Sequence, residues 1–164
     1  MKPVKKTLEI LGLKALNREI NRTWVDWAID MLLAGYDTEY LTILAGENEP
    51  FNQFQMQDIA DKVLMELQLD YSNKEQTIKN YACYLIEKSL EGETDNFIVL
   101  NELKDICIEL DYEKYLYEFY LLYFAKYDLL YSENQWYWDG ATKENIDNII
   151  NDYFVKWKNE CMTY

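Results

Sequence analysis

Apolar residues recur at helical spacing almost throughout this chain, and nowhere do they alternate convincingly over the length of a strand. That periodicity predicts an all-α protein. Val4, Leu8, Leu11 and Ala15 mark a short first helix. Thr23 is the expected cap of a second, with Asp26 in the capping-box position, Trp24, Trp27, Ala28, Met31 and Leu32 along one side, and Gly35 as the stop. Leu41, Ile43 and Leu44 form a brief third helix ending at Gly46. Asn52 with Gln55 opens a fourth, whose Met56, Ile59, Ala60, Val63, Leu64 and Leu67 make an apolar stripe opposite Asp58, Asp61, Lys62 and Glu66. Ser72 and Glu75 have the spacing of a capping box and start a fifth, which ends at Gly92. A sixth helix carries Val99, Leu103, Ile106, Cys107 and Leu110. The stretch "YEKYLYEFYLLYFAKYDLLY" is apolar on nearly every side, with Lys114 and Glu118 as a narrow wet edge, so it is either central or half covered by a partner. Thr142 is the expected cap of the last helix, which carries Ile146, Ile149, Ile150, Tyr153 and Trp157.

With five glycines and two prolines in 164 residues, the chain lacks the turn chemistry that a sheet demands. The expectation is a single all-helical domain over 1–164, an irregular bundle of about eight helices with short loops. A short α-solenoid of stacked helix pairs is the alternative, although no residue pattern returns at a fixed period.

Charge is unevenly spread. Residues 1–22 hold six Lys or Arg against two Glu, a net of +4. Since the whole chain is at −14, residues 23–164 carry −18. An acidic body of this kind repels nucleic acid and anionic membrane and speeds encounter with a basic partner, or it serves solubility alone. Glu9 and Lys14 interrupt any signal-peptide core near the start, so that segment is expected to stay on the mature protein. The apolar run containing "YLLYFA" is far too short to span a membrane. Cys83, Cys107 and Cys161 are odd in number and far apart, which suggests reduced thiols in a cytoplasmic protein.

The chain has no histidine, and so no imidazole base, no Ser-His or Cys-His pair and no imidazole metal ligand. It lacks CxxC spacing and any glycine-rich phosphate loop. Asp58 with Asp61, and Glu102 with Asp105, share helical faces, but these are polar faces where solvation is the simpler explanation than metal binding. The composition therefore predicts a non-enzymatic protein that needs no cofactor or metal. Tyrosine is the richer signal, with 15 in the chain and many between Tyr112 and Tyr137. The spacing of Tyr117, Tyr120 and Phe124 suits a core stripe. As a contact surface the same segment would set aromatic anchors among carboxylates, a neighbourhood that fits a basic protein and disfavours nucleic acid. The candidate partner-binding residues are Glu109, Asp111, Glu113, Tyr117, Glu118 and Tyr137.

The segments "WVDWAIDMLLAGYDTEYLTILAGENEPFNQF" and "WYWDGATKENIDNII" resemble a family of small, acidic, uncharacterised bacterial proteins associated with toxin immunity. The resemblance covers those two regions and implies a cytoplasmic helical protein that neutralises a partner by binding it; it transfers no site residue. Joined to the acidic charge and the missing catalytic groups, it gives the expected function: an immunity-type inhibitor that occludes a basic toxin or nuclease. Other readings are a nucleic-acid mimic, a general adaptor and, last, a carboxylate-metal enzyme. Within "NQWYWDGATKEN", an extended backbone would send Trp136 and Trp138 into the groove beside the last helix and leave Tyr137 nearer water.

Overall fold

The computed structural model describes residues 1–161. Among them are eight helices and no strand: α1 (Thr7–Ala15), α2 (Arg22–Leu33), α3 (Glu39–Ala45), α4 (Gln53–Glu66), α5 (Lys74–Leu90), α6 (Asn96–Glu109), α7 (Lys114–Tyr131) and α8 (Ile146–Glu160). The chain is all-α, as its periodicity requires. Its contacts group into two compact units, Met1–Tyr84 and Leu85–Tyr164, with the break inside α5.

In the first unit, Trp24, Trp27 and Met31 of α2, Leu41 and Leu44 of α3, and Met56, Val63 and Leu64 of α4 close around Ile10 of α1. Trp24 and Trp27 meet edge to face at 6.0 Å, the arrangement that ring quadrupoles favour. Trp27 stays buried because its Nε1 donates to Thr7 Oγ1 at 2.9 Å, and the Thr7 hydroxyl lies 3.8 Å from Met31 Sδ. Gly12 lets α1 close on Tyr81: a Cβ there would stand 2.6 Å from the Tyr81 Cβ. The basic N-terminal segment is tied to the acidic body in part, since Lys14 bonds Asp61 at 2.6 Å and Gln57 at 3.0 Å.

Three of the expected helix starts shift by a few residues. Asn21, not Thr23, caps α2, accepting from the Thr23 amide at 3.0 Å, while Asp26 reaches back to Arg22. At α5 the cap is Asn73, which accepts from the Gln76 amide; Glu75 pairs with Lys79 instead of closing a box with Ser72. Before α8, Asn145 turns back to accept from the Thr142 amide at 2.6 Å and to donate to the Gly140 carbonyl, so Thr142 opens a turn and the helix proper begins at Ile146. Asn52 caps α4 through the Gln55 amide, where the sequence places it. At α2 and α5 an asparagine one or two residues from the expected cap offers a carboxamide acceptor of the right reach, whereas Asn145 makes no side-chain cap at α8.

The cysteines also depart from expectation. Cys107 is a free, buried thiol, but Cys83 and Cys161 are disulfide-bonded. The even scatter of three cysteines hides this, because spacing alone carries no information about which thiols are bonded.

Candidate partner-binding face

In the second unit, α6 and α7 form a helical hairpin through a four-residue turn, and α8 packs beside them. Leu116, Phe119, Leu122, Ala125 and Leu129 bury one face of α7. Phe119 is the hinge of this core, touching Tyr153, Phe154 and Trp157 of α8 with ring centroids between 4.9 and 6.2 Å. Lys126 joins the three helices, donating to Asn96 and to Asp147 at 2.8 Å each. The ammonium beside Asp147 holds that carboxyl below its ordinary range.

The opposite face of α7 is only partly covered, by Tyr112 on Tyr120 and Tyr137 on Phe124. Tyr117, Tyr120, Phe124, Tyr127 and Tyr131 follow one another at steps of three and four residues, so their rings touch in series along the helix. Tyr117 stacks on Tyr120 at 5.5 Å, and Tyr112, from the hairpin turn, meets Tyr120 edge-on at the same distance. Tyr117 is 41 % exposed and Tyr137 38 %, while Tyr120 and Phe124 are half-buried beneath them. The stripe that suits a core is thus a partly wet aromatic surface lying back to back with the real one.

The hairpin turn is strained at this point. Asp111 and Tyr112 both take the left-handed conformation, φ +57° and +60°, with amides donating to Ile108 and Cys107 carbonyls. Glycine would take those angles without strain, and tyrosine does so rarely. Burial pushes the Cys107 thiol up, with Glu113 adding to the effect.

Of the six sequence-derived candidates, Tyr117 and Tyr137 come together through Tyr120 and Phe124, with Tyr137 5.5 Å from Phe124. Glu109 ends α6, Asp111 lies in the turn and Glu113 caps α7; all three are exposed and lead directly into the ring face. Glu118 points elsewhere. It faces Tyr153 of α8, whose hydroxyl is pushed well above its ordinary value by burial and by that carboxylate. Tyr112, Tyr127 and Tyr131 belong to the surface, with the half-buried, stacked Phe97–Tyr123 pair beside them, but the sequence does not single them out. The series 120, 124, 127, 131 was the signal that could have found them.

The "NQWYWDG" loop corrects the expected arrangement. Gln135 accepts from the Tyr137 and Trp138 amides at 2.8 Å and donates to the Trp138 and Ala141 carbonyls. One side chain therefore curls the backbone around itself, and the alternation of an extended strand is lost. Trp138 packs on Tyr153 at 5.9 Å, as a plug should, but Trp136 stands 90 % exposed.

Elsewhere, the acidic pairs are occupied by lysines: Asp58 by Lys62, Asp61 by Lys14 and Asp105 by Lys104. Among the described residues no group of three or more Cys, Asp or Glu is placed to hold a metal ion, and no helix is long and apolar enough to cross a membrane. A shallow recess of about 410 Å³ lies at the start of α2, but Gln53, which lines it, is spent on the Ile20 amide and carbonyl. Comparison with protein-family models, with curated proteins and with solved structures returns no match.

Proposed function

We propose that this chain is a non-enzymatic protein-binding module that occludes a basic partner, in the manner of an immunity protein acting on a toxin or nuclease. The observation that carries the reading is the partly exposed ring series on α7 with Asp111 and Glu113 at its head. A continuous apolar surface kept in water marks an interaction site. Tyrosine supplies large contact area at small conformational cost, and the flanking carboxylates steer a cationic partner toward it. The strained Asp111–Tyr112 turn supports the same assignment, because strain at a surface turn persists where the side chains serve something other than stability.

The nucleic-acid-mimic alternative has less support, since Asp58, Asp61, Asp105 and Asp147 are neutralised by the chain's own lysines. A cytoplasmic setting belongs to the same proposal and rests on the sequence resemblance. The bonded state of Cys83 and Cys161 weighs against it, because such bonds persist mainly in oxidising compartments.

The test immobilises the protein in lysate of its source organism and washes at low and then at about 300 mM salt, where the screening length is several ångströms. A stoichiometric basic protein, released by salt and lost from the Asp111→Lys/Glu113→Lys double variant, is the expected result. Capture unaffected by the double variant would place the site on another face.

A further inference from the structure

The chain seats its own cations by one repeated device. Lys62 Nζ lies 4.8 Å from the Tyr40 ring centre and 2.9 Å from Asp58. Lys104 lies 4.5 Å from the Tyr123 ring centre and 2.6 Å from Asp105. Lys126 lies 5.4 Å from the Phe97 ring centre and 2.8 Å from Asp147. Each ammonium is held between the negative face of a ring and a carboxylate, so quadrupole and charge act on the same ion.

Two of these lysines cover one end of the ring system of α6 and α7, at Phe97 and Tyr123. The other end, Tyr112, Tyr117 and Tyr120, has the same ingredients without the cation. Asp111 precedes Tyr112, and Glu113 stands one helical turn before Tyr117. None of the described cation–ring contacts falls on these three tyrosines.

We infer that this bare end receives an arginine side chain from the partner, an inference that rests on the protein-binding role proposed above. The guanidinium lies against the Tyr112 and Tyr117 rings, and Asp111 or Glu113 accepts its remaining N–H groups. Arginine suits the position better than lysine. Its planar, weakly hydrated head stacks on a wet ring and still presents several donors, whereas an ammonium loses more hydration for fewer contacts.

The test titrates hexa-arginine and hexa-lysine peptides into the full chain at about 150 mM salt, where the general field of the acidic body is screened beyond about 8 Å. Ring-proton resonances of the wild-type chain locate the contact directly. Hexa-arginine is expected to bind several-fold more tightly than hexa-lysine and to move the Tyr112, Tyr117 and Tyr120 signals first. Tyr112→Leu/Tyr117→Leu, which keeps apolar bulk and removes the ring faces, should weaken hexa-arginine about fivefold to thirtyfold. Phe54→Leu, at a ring 90 % exposed on α4, should leave it unchanged. Equal affinity for the two peptides, or shifts confined to other tyrosines, would overturn the arginine site while leaving an acidic binding surface in place. Absence of any binding by either peptide would remove both.

Discussion

Thr7 shows what a single hydroxyl does in the first unit. It is buried, and it accepts from the indole of Trp27, which is wholly inside. Thr7→Val preserves the shape but leaves the Trp27 Nε1 without an acceptor in a dry site, a loss of about 1–3 kcal/mol. Thr7→Ser keeps the oxygen and should lose less than half as much in a denaturant titration. Equal losses for the two variants would mean that packing of the Thr7 methyl, not its hydroxyl, is what matters. Cys107 allows a second prediction of the same kind. Its thiol is buried and pushed up in pKa, so it should react slowly with a disulfide reagent in the native chain. Unfolded without reductant, the protein should titrate one thiol, and after reduction three. Three thiols before reduction would contradict the bonded state of Cys83 and Cys161.

Helix ends give the next contrast. Gln68 closes α4 in the left-handed conformation, φ +54°, and Asp111 does the same after α6. Glycine at either place relieves a Cβ clash and should raise stability by up to about 1 kcal/mol. Only Asp111→Gly should also slow capture of a basic partner, because only that side chain heads the ring face; if Gln68→Gly slows it equally, the proposed surface is misplaced. Lys126 and Asp147 join α7 to α8 and make the bundle acid-sensitive. The folded-state pKa of Asp147 lies below its ordinary 3.8, so its contribution is present above 3.8 and is lost as pH falls through the lower value. Asp147→Asn should therefore flatten the stability curve as pH falls below about 4 while lowering stability at neutral pH. The helices themselves were legible from spacing: Met56, Ile59, Val63 and Leu64 lie buried where the α4 stripe puts them. The caps were less so, since Asn21 and Asn73 lie within two residues of others able to cap, and reach decides between them. At α7 periodicity fails for a different reason. Tyrosine fits a core and a wet surface alike, so a helix apolar on both faces does not declare which one is covered. Trp136 departs from the alternating expectation because the curl around Gln135 depends on four hydrogen bonds that no two-residue alternation encodes.

Taken as a whole the chain holds −14, with −18 on residues 23–164. Its own ion pairs relieve part of this repulsion, but most are exposed and contribute little: the Asp58, Asp61, Asp105 and Asp147 side chains are each more than half in water. Unpaired charge of one sign destabilises a compact state, and its range shrinks from about 30 Å at 0.01 M salt to about 8 Å at 0.15 M. Salt should therefore raise the melting temperature, by a few degrees between those two concentrations, although it weakens each ion pair. A flat or falling melting temperature would mean that local pairs such as Lys14–Asp61 outweigh the net field. The same field ties stability to function. Hexa-arginine that engages only the folded chain should raise the melting temperature most at low salt, through both charge relief and mass action. As salt rises the charge component fades, and what persists reports the contact with the tyrosine rings. Stabilisation that vanishes altogether by 0.15 M would assign the binding to charge and leave the α7 face without a role in it.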